Sequence, residues 1–234
     1  MQRALGHRGP DGEGWFQDRR IALAHRRLSI IDLAGGAQPL AGERAGTVAI
    51  VNGEIYNYIE LRQELAATGA QLRTRSDSEV IPFLYDRHGQ DFVHRLRGAF
   101  AAAIWDGARQ QLLLVRDRVG EKPLLHATGS DGTVYFASEI GALVASGAVP
   151  VEPDMEAINR YFHFRFVPEP ATPLRHVRKL RAGHVIALSP EHPVPAPRQY
   201  WNVSAVAPMQ GDPVEILHAD LEEIGRIIVR SDVP

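Results

Sequence analysis

The sequence has 234 residues, 44% apolar and 23% charged, with a formal net charge of −2 and no cysteine. A chain of this size can bury its own core. No Lys/Arg run points to nucleic acid or a membrane surface. No apolar run approaches the ~20 residues a membrane-spanning helix needs, and the start MQRALGHRGP holds no signal-peptide core. The lack of cysteine excludes disulfides and thiolate metal sites and leads us to expect a cytoplasmic protein. The ten histidines show no metal-like spacing.

In chain order, residues 21–33 (IALAHRRLSIIDL) and 47–51 (TVAIV) are aliphatic and β-branched, which predicts strands. VNGEIYN (51–57) places an Asn-Gly pair between apolar residues, the usual signal for a tight hairpin turn. Residues 58–69 set Tyr58, Leu61 and Leu65 on one helical face, with Gly69 as the stop. QLRTR (71–75) reads as a short strand. Residues 76–89 read as a helix with Pro82 in its first turn, where proline is tolerated. Ser76 and Glu79 have the spacing of a capping box, within which Asp77 would be favourable first-turn charge. Residues 99–106, 110–117 and 133–138 predict three further strands, and EIGALVASG and DMEAINRYFHF predict helices. The order is not a strict alternation of strand and helix, so mostly antiparallel sheets with helices outside them are expected. Residues 189–213 are rich in proline and read as a linker. In 214–229, Val214, Leu217, Leu221, Ile224 and Ile228 form one apolar helical stripe.

Six motifs occur in a fixed order: HRGPDGEG (7–14), LAHRRLSIIDLAGGAQPL (23–40), VNGEIYN (51–57), SDSEV (76–80), LRGAFAAAIWD (96–106) and RDRVGEKPL (116–124). Together they resemble the N-terminal glutaminase domain of glutamine-hydrolysing asparagine synthetases, which are class II glutamine amidotransferases of the N-terminal-nucleophile hydrolase fold. The resemblance covers residues 1–200 or so and includes the tail RSDVP. It implies an α+β fold, a four-layer αββα sandwich of two antiparallel sheets. By this reading residues 1–189 are the glutaminase domain without its N-terminal strand, 190–212 a linker, and 213–234 the first helix of the synthetase domain.

The resemblance also implies the chemistry. Releasing ammonia from L-glutamine builds an oxyanion, and each preorganised donor aimed at it is worth roughly 3–4 kcal/mol. Those donors would be the Asn52 side-chain amide and the Gly53 N–H, glycine leaving the backbone open to close approach. Arg27 would fork onto the α-carboxylate of glutamine. Asp77 would hold its α-ammonium, and Glu54 completes the NGE glutamine-binding triplet. HRGPDG is expected to shape a wall of the site, and RDRVGEKPL to be structural. ATP and Mg²⁺ are expected only in the synthetase domain, outside this chain. A homodimer is left open; neither nucleic acid nor a membrane is expected as a partner.

The family nucleophile is an N-terminal cysteine whose own amino group is the base. This chain has none, position 2 is Gln, and no Ser or Thr precedes Ser29. Three readings follow. The chain is a piece shortened at both ends, with Met1 an internal methionine; or it is a retired domain of the β-lactam synthetase type; or it is a non-catalytic glutamine-binding or scaffold domain. KPLLH (122–126) departs from the family, which usually has aromatic residues after KPL.

Overall fold

The apolar run AFAAAIW is buried on both sides, and this sets the architecture. The computed structural model describes residues 1–233. A 3-10 turn, Gln2–Arg8, leads into a hairpin of β1 (Gly12–Gln17) and β2 (Ala22–Arg27). Next come β3 (Leu40–Ala41), β4 (Thr47–Ile55), α1 (Tyr58–Ala67) and α2 (Val80–His88). β5 (Gly98–Asp106) and β6 (Gln111–Arg116) form a hairpin, as do β7 (Leu125–Thr128) and β8 (Val134–Ala137). Then follow α3 (Ile140–Val144), α4 (Met155–Phe164), β9 (Val177–Lys179), β10 (His184–Leu188), β11 (Arg198–Gln199) and α5 (Pro213–Ile228).

All strand pairings are antiparallel. One six-stranded sheet runs β11-β10-β6-β5-β4-β3, a three-stranded sheet runs β8-β7-β9, and β1-β2 stand as a pair. Alternation along each strand sorts side chains between two cores. Phe100, Ala102 and Ile104 of β5 pack with Leu61 and Leu65 of α1 and Ile81, Phe83 and Leu84 of α2. Ala101, Ala103 and Trp105 face the other way, onto Leu23 of β2 and the partly buried Phe136 of β8. A sheet covered on both faces reads as a continuous apolar run instead of an alternating one. Behind the smaller sheets, Ala142 and Leu143 of α3 pack with Leu125, Ala137, Val177 and Leu5. The layers are therefore helix, sheet, sheet, helix, as expected.

Local details account for the ends of the elements. Gly69 at φ +90° closes α1, with its N–H on Ala66 O and the Ala70 N–H on Leu65 O. Pro82 is the third residue of α2, where a missing N–H leaves no hydrogen bond unmade. Asp154 caps α4 by accepting from Ala157 N, and Asp212 caps α5 from Val214 N. β11 lies inside the proline-rich stretch and joins the large sheet. The stripe Val214, Leu217, Leu221, Ile224 and Ile228 on α5 is exposed. Among the described residues no helix is long and apolar enough to cross a membrane.

Four local expectations need correction. Residues 28–33 are not strand: β2 stops at Arg27, and the segment turns through Asp32 at φ +54°. QLRTR forms no strand, because the Arg73 and Thr74 N–H groups donate to the Glu79 carboxylate at 2.7 and 3.0 Å, not to a neighbouring strand. That use of Glu79 also removes the capping box, and Ser76 makes no side-chain cap bond. Asn52-Gly53 is no hairpin turn: both lie inside β4, opposite Ala101 and Phe100 of β5.

Candidate active site

The in-out alternation of β4 decides which residues of NGE face the space between the sheets. Ala49, Val51 and Ile55 belong to the helix-side core. Asn52 and Glu54 have the opposite parity and line a cavity of about 570 Å³ between the layers. The same cavity is lined by Arg27, Gly53 and Asp77. All five residues singled out from the sequence thus surround one space. Residues of β2 and of β8 both border it; among the described residues β8 pairs only with β7, whereas Arg27 of β2 also bridges Pro10 besides the pairing with β1.

Asp77 is almost fully buried, and its Oδ2 accepts the Ile55 N–H at 2.8 Å. Ser76 and Ser78 hydroxyls lie 3.4 Å from its Oδ1. Burial pushes its carboxyl above the usual range, against the pull of those donors. Glu54 is also raised, first by burial and then by the charge of Asp77, with Lys122 opposing. Asn52 donates from Nδ2 to Ser138 Oγ at 3.4 Å, a long contact that leaves the amide free to turn to a better acceptor.

Gly53 sits at φ +132°, and a Cβ there would lie 2.0 Å from Ala99 O of β5. The residue must be glycine for that reason. The expected reason was close approach of substrate, but the space the glycine opens is on the β5 side.

Arg27 sends Nη1 to Leu33 O at 3.2 Å and Nη2 to Ile31 O and Asp32 O at 3.0 and 2.6 Å. Its guanidinium is held at the end of β2 by the carbonyls of the loop that follows. Gly36 gives it room, since a Cβ there would lie 2.3 Å from Nη2.

The sequence reading missed three residues that shape this site. Gln38 grips the Val51 backbone from both sides, accepting from its N–H at 2.7 Å and donating to its carbonyl at 3.1 Å. His25 reaches the same carbonyl through Nε2 at 3.0 Å, and burial lowers its pKa to about 4. It is therefore neutral at pH 7, with Nε2 as the donor. The strand position just before Asn52 is fixed by these two side chains. Ser138, at the end of β8, was read only as part of a strand. A glutamine before a proline and a histidine in a strand carry no local signal; only the fold brings them to residue 51.

RDRVGEKPL is a densely hydrogen-bonded turn. Asp117 accepts backbone N–H groups of residues 119, 120, 121 and 122 at 2.7–3.1 Å. Arg116 donates to the carbonyls of Gly120, Lys122 and Leu180. In HRGPDG, His7 and Arg8 pair with Glu139, and Arg8 borders the cavity. No group of His, Asp and Glu among the described residues is arranged to hold a metal ion.

The model of the glutamine amidotransferase domain family matches residues 1–201. Asparagine synthetase [glutamine-hydrolyzing] 1 of Bacillus subtilis (strain 168) is 39% identical over 235 residues, covering 100% of this chain and 37% of that protein. The asparagine synthetase [glutamine-hydrolyzing] of Asparagus officinalis is 46% identical over 143 residues, 61% of this chain and 24% of that protein. The chain thus spans little more than a third of the first of these relatives. Among solved structures, the glutamine phosphoribosylpyrophosphate amidotransferase of B. subtilis superposes with a TM-score of 0.62 at 21% identity, over 85% of this chain and 45% of that one. At that identity the likeness establishes the fold: it agrees with the helix-sheet-sheet-helix layering. The match of the family model over most of its length identifies this chain as a member of the glutamine amidotransferase domain family.

Proposed function

We propose that this chain is the glutamine-binding, ammonia-releasing part of an asparagine-synthetase-like amidotransferase. The observation that carries the reading is the convergence of Arg27, Asn52, Gly53, Glu54 and Asp77 on one cavity. Arg27 receives the α-carboxylate of L-glutamine and Asp77 its α-ammonium. These two fix the amino-acid end, so the carboxamide is held toward Asn52 and Gly53. The Asn52 amide and the Gly53 N–H take the charge that builds on the carboxamide oxygen. Glu54 lies beside them as a second carboxylate of the site.

The nucleophile belongs on an extended segment lying between β2 and β8. β8, at the end of its sheet, offers backbone partners to such a strand, which would run past Asn52. The released ammonia is used in the remaining part of the protein, on aspartate or a related carboxylate, with ATP and Mg²⁺ bound there.

The chain alone is expected to bind L-glutamine in preference to L-glutamate in a calorimetric titration, and to release no ammonia. Fusing a strand that begins with cysteine ahead of Met1 is expected to start ammonia release. Equal affinity for the two amino acids, or none for either, would overturn the reading. A second reading is favoured by one observation, the absence of any cysteine: a domain that holds glutamine without turning it over. Binding that persists while the fused strand yields no ammonia would select it.

A further inference from the structure

Asp32, inside the 23–40 motif, is a residue on which three separate segments meet. Its backbone is left-handed, at φ +54°. A non-glycine residue there is strained and persists only when its surroundings hold it. Here the surroundings are specific. The Asp32 carbonyl accepts from Arg27 Nη2 at 2.6 Å and from Gly36 N at 3.0 Å. Its carboxylate accepts from Gly35 N at 3.0 Å and from Arg75 N at 2.8 Å, the residue just before Ser76-Asp77. Its own N–H donates to the Asp232 carboxylate at 2.7 Å, two hundred residues away in sequence.

Asp232 is not a single accidental contact. Its N–H donates to Ile30 O at 3.1 Å, so the pair of bonds clamps the loop from both sides of Ile31. Two residues earlier, Arg230 forks onto Glu60 of α1 at 2.6 and 2.7 Å and also donates to Tyr56 O at 2.9 Å. A bidentate arginine-carboxylate pair has a fixed geometry. The segment 230–232, which follows α5, thus bridges the end of β4, the first turn of α1 and the loop that holds Arg27.

We infer that Asp32 is a positioning residue for Arg27, and that segment 230–232 sets its conformation through Asp232. Resting on the glutamine reading above, this makes affinity for the α-carboxylate of glutamine depend on how segment 230–232 is held. Whatever displaces that segment unfastens the Asp32 N–H. The left-handed turn then relaxes, and the carbonyls of residues 31–33 no longer aim the guanidinium. The α-ammonium end is affected less, because the Asp77 carboxylate takes its own bonds from Ile55, Ser76 and Ser78 and only the Arg75 N–H upstream of it reaches Asp32.

The test uses the full chain, uniformly labelled with nitrogen-15, as wild type, Asp232→Ala and Asp232→Asn. The asparagine variant keeps a carbonyl oxygen for the Asp32 N–H. In the free protein, Asp232→Ala is expected to shift both the Asp32 amide resonance and the Arg27 Nε resonance, and Asp232→Asn to restore most of each. Titration with L-glutamine is expected to show roughly tenfold weaker binding in Asp232→Ala. Titration with 4-aminobutanamide, which keeps the amine and carboxamide but lacks the α-carboxylate, is expected to be unchanged. An Arg27 Nε resonance indifferent to Asp232→Ala would overturn the inference, whether or not glutamine binds. Equal losses for the two ligands would reduce Asp232 to a general prop and overturn it as well. Failure of the wild type to bind glutamine while Arg27 still responds would sink the glutamine reading and leave the positioning role standing.

Discussion

Gly53→Ala is expected to destabilise the domain by about 4 kcal/mol or more. Two penalties act together. At φ +132° an L side chain is strained whatever the space around it. Here there is also no space: the added Cβ would lie 2.0 Å from Ala99 O and 2.8 Å from Phe100 Cα. Neither is a flexible side-chain end. Both belong to β5, which is flanked by β4 and β6 and buried on both faces, so it cannot step back. Chemical denaturation of the wild type and variant under the same conditions measures the difference. A loss below about 1 kcal/mol would mean that β4 can slide away from β5 at this point, and that the glycine is not dictated by the sheet.

Asp77→Asn is expected to separate binding from stability. With its buried carboxylate gone, affinity for L-glutamine should fall roughly 100-fold, equivalent to about 3 kcal/mol. The fold should not suffer. The Asp77 carboxyl titrates above its ordinary value because burial outweighs the donors around it. The folded state therefore holds this proton more tightly than the unfolded chain does. That contribution to stability is full below the unfolded pKa and is lost as pH rises through the raised folded one. At pH 7 the ionised group is a cost to the free domain, and asparagine removes the charge while keeping an oxygen for the Ile55 N–H. Thermal melts at pH 7 should show the variant at least as stable as the wild type. Glutamine affinity of the wild type should also decline on acidification, as the carboxylate takes up its proton. A variant that melts clearly lower, or that binds glutamine as well as the wild type, would contradict the assignment of Asp77 to the ammonium.

The sequence disclosed those features that rest on local pattern. The helical periodicity of Leu61 and Leu65, and the long apolar run at 99–105, led directly to the helix layer and the central strand. Features made by distant partners were less legible. Asn52-Gly53 carries every local mark of a hairpin turn, yet its partners are Ala101 and Phe100 of β5, far along the chain, and the glycine serves that pairing. Glu79 has the spacing of a capping box, yet the Arg73 and Thr74 N–H groups and Arg62 take its oxygens. The five site residues came from a resemblance; the fold gathers them around one cavity. His25, Gln38 and Asp32, which brace them, belong to no spacing rule. Each is recognisable only from what it touches.

The position of β5 has a kinetic meaning. It is zipped to β4 along nine residue pairs and to β6 along six, under apolar side chains on both faces. No local fluctuation can bare its amides, so their hydrogen-deuterium exchange must wait for the whole domain to open. The loop at 28–33 is tied by a handful of bonds at the surface and can open alone. Within one molecule, then, β5 keeps time for global unfolding and the loop for local breathing, two clocks that run at rates set by different parts of the same fold.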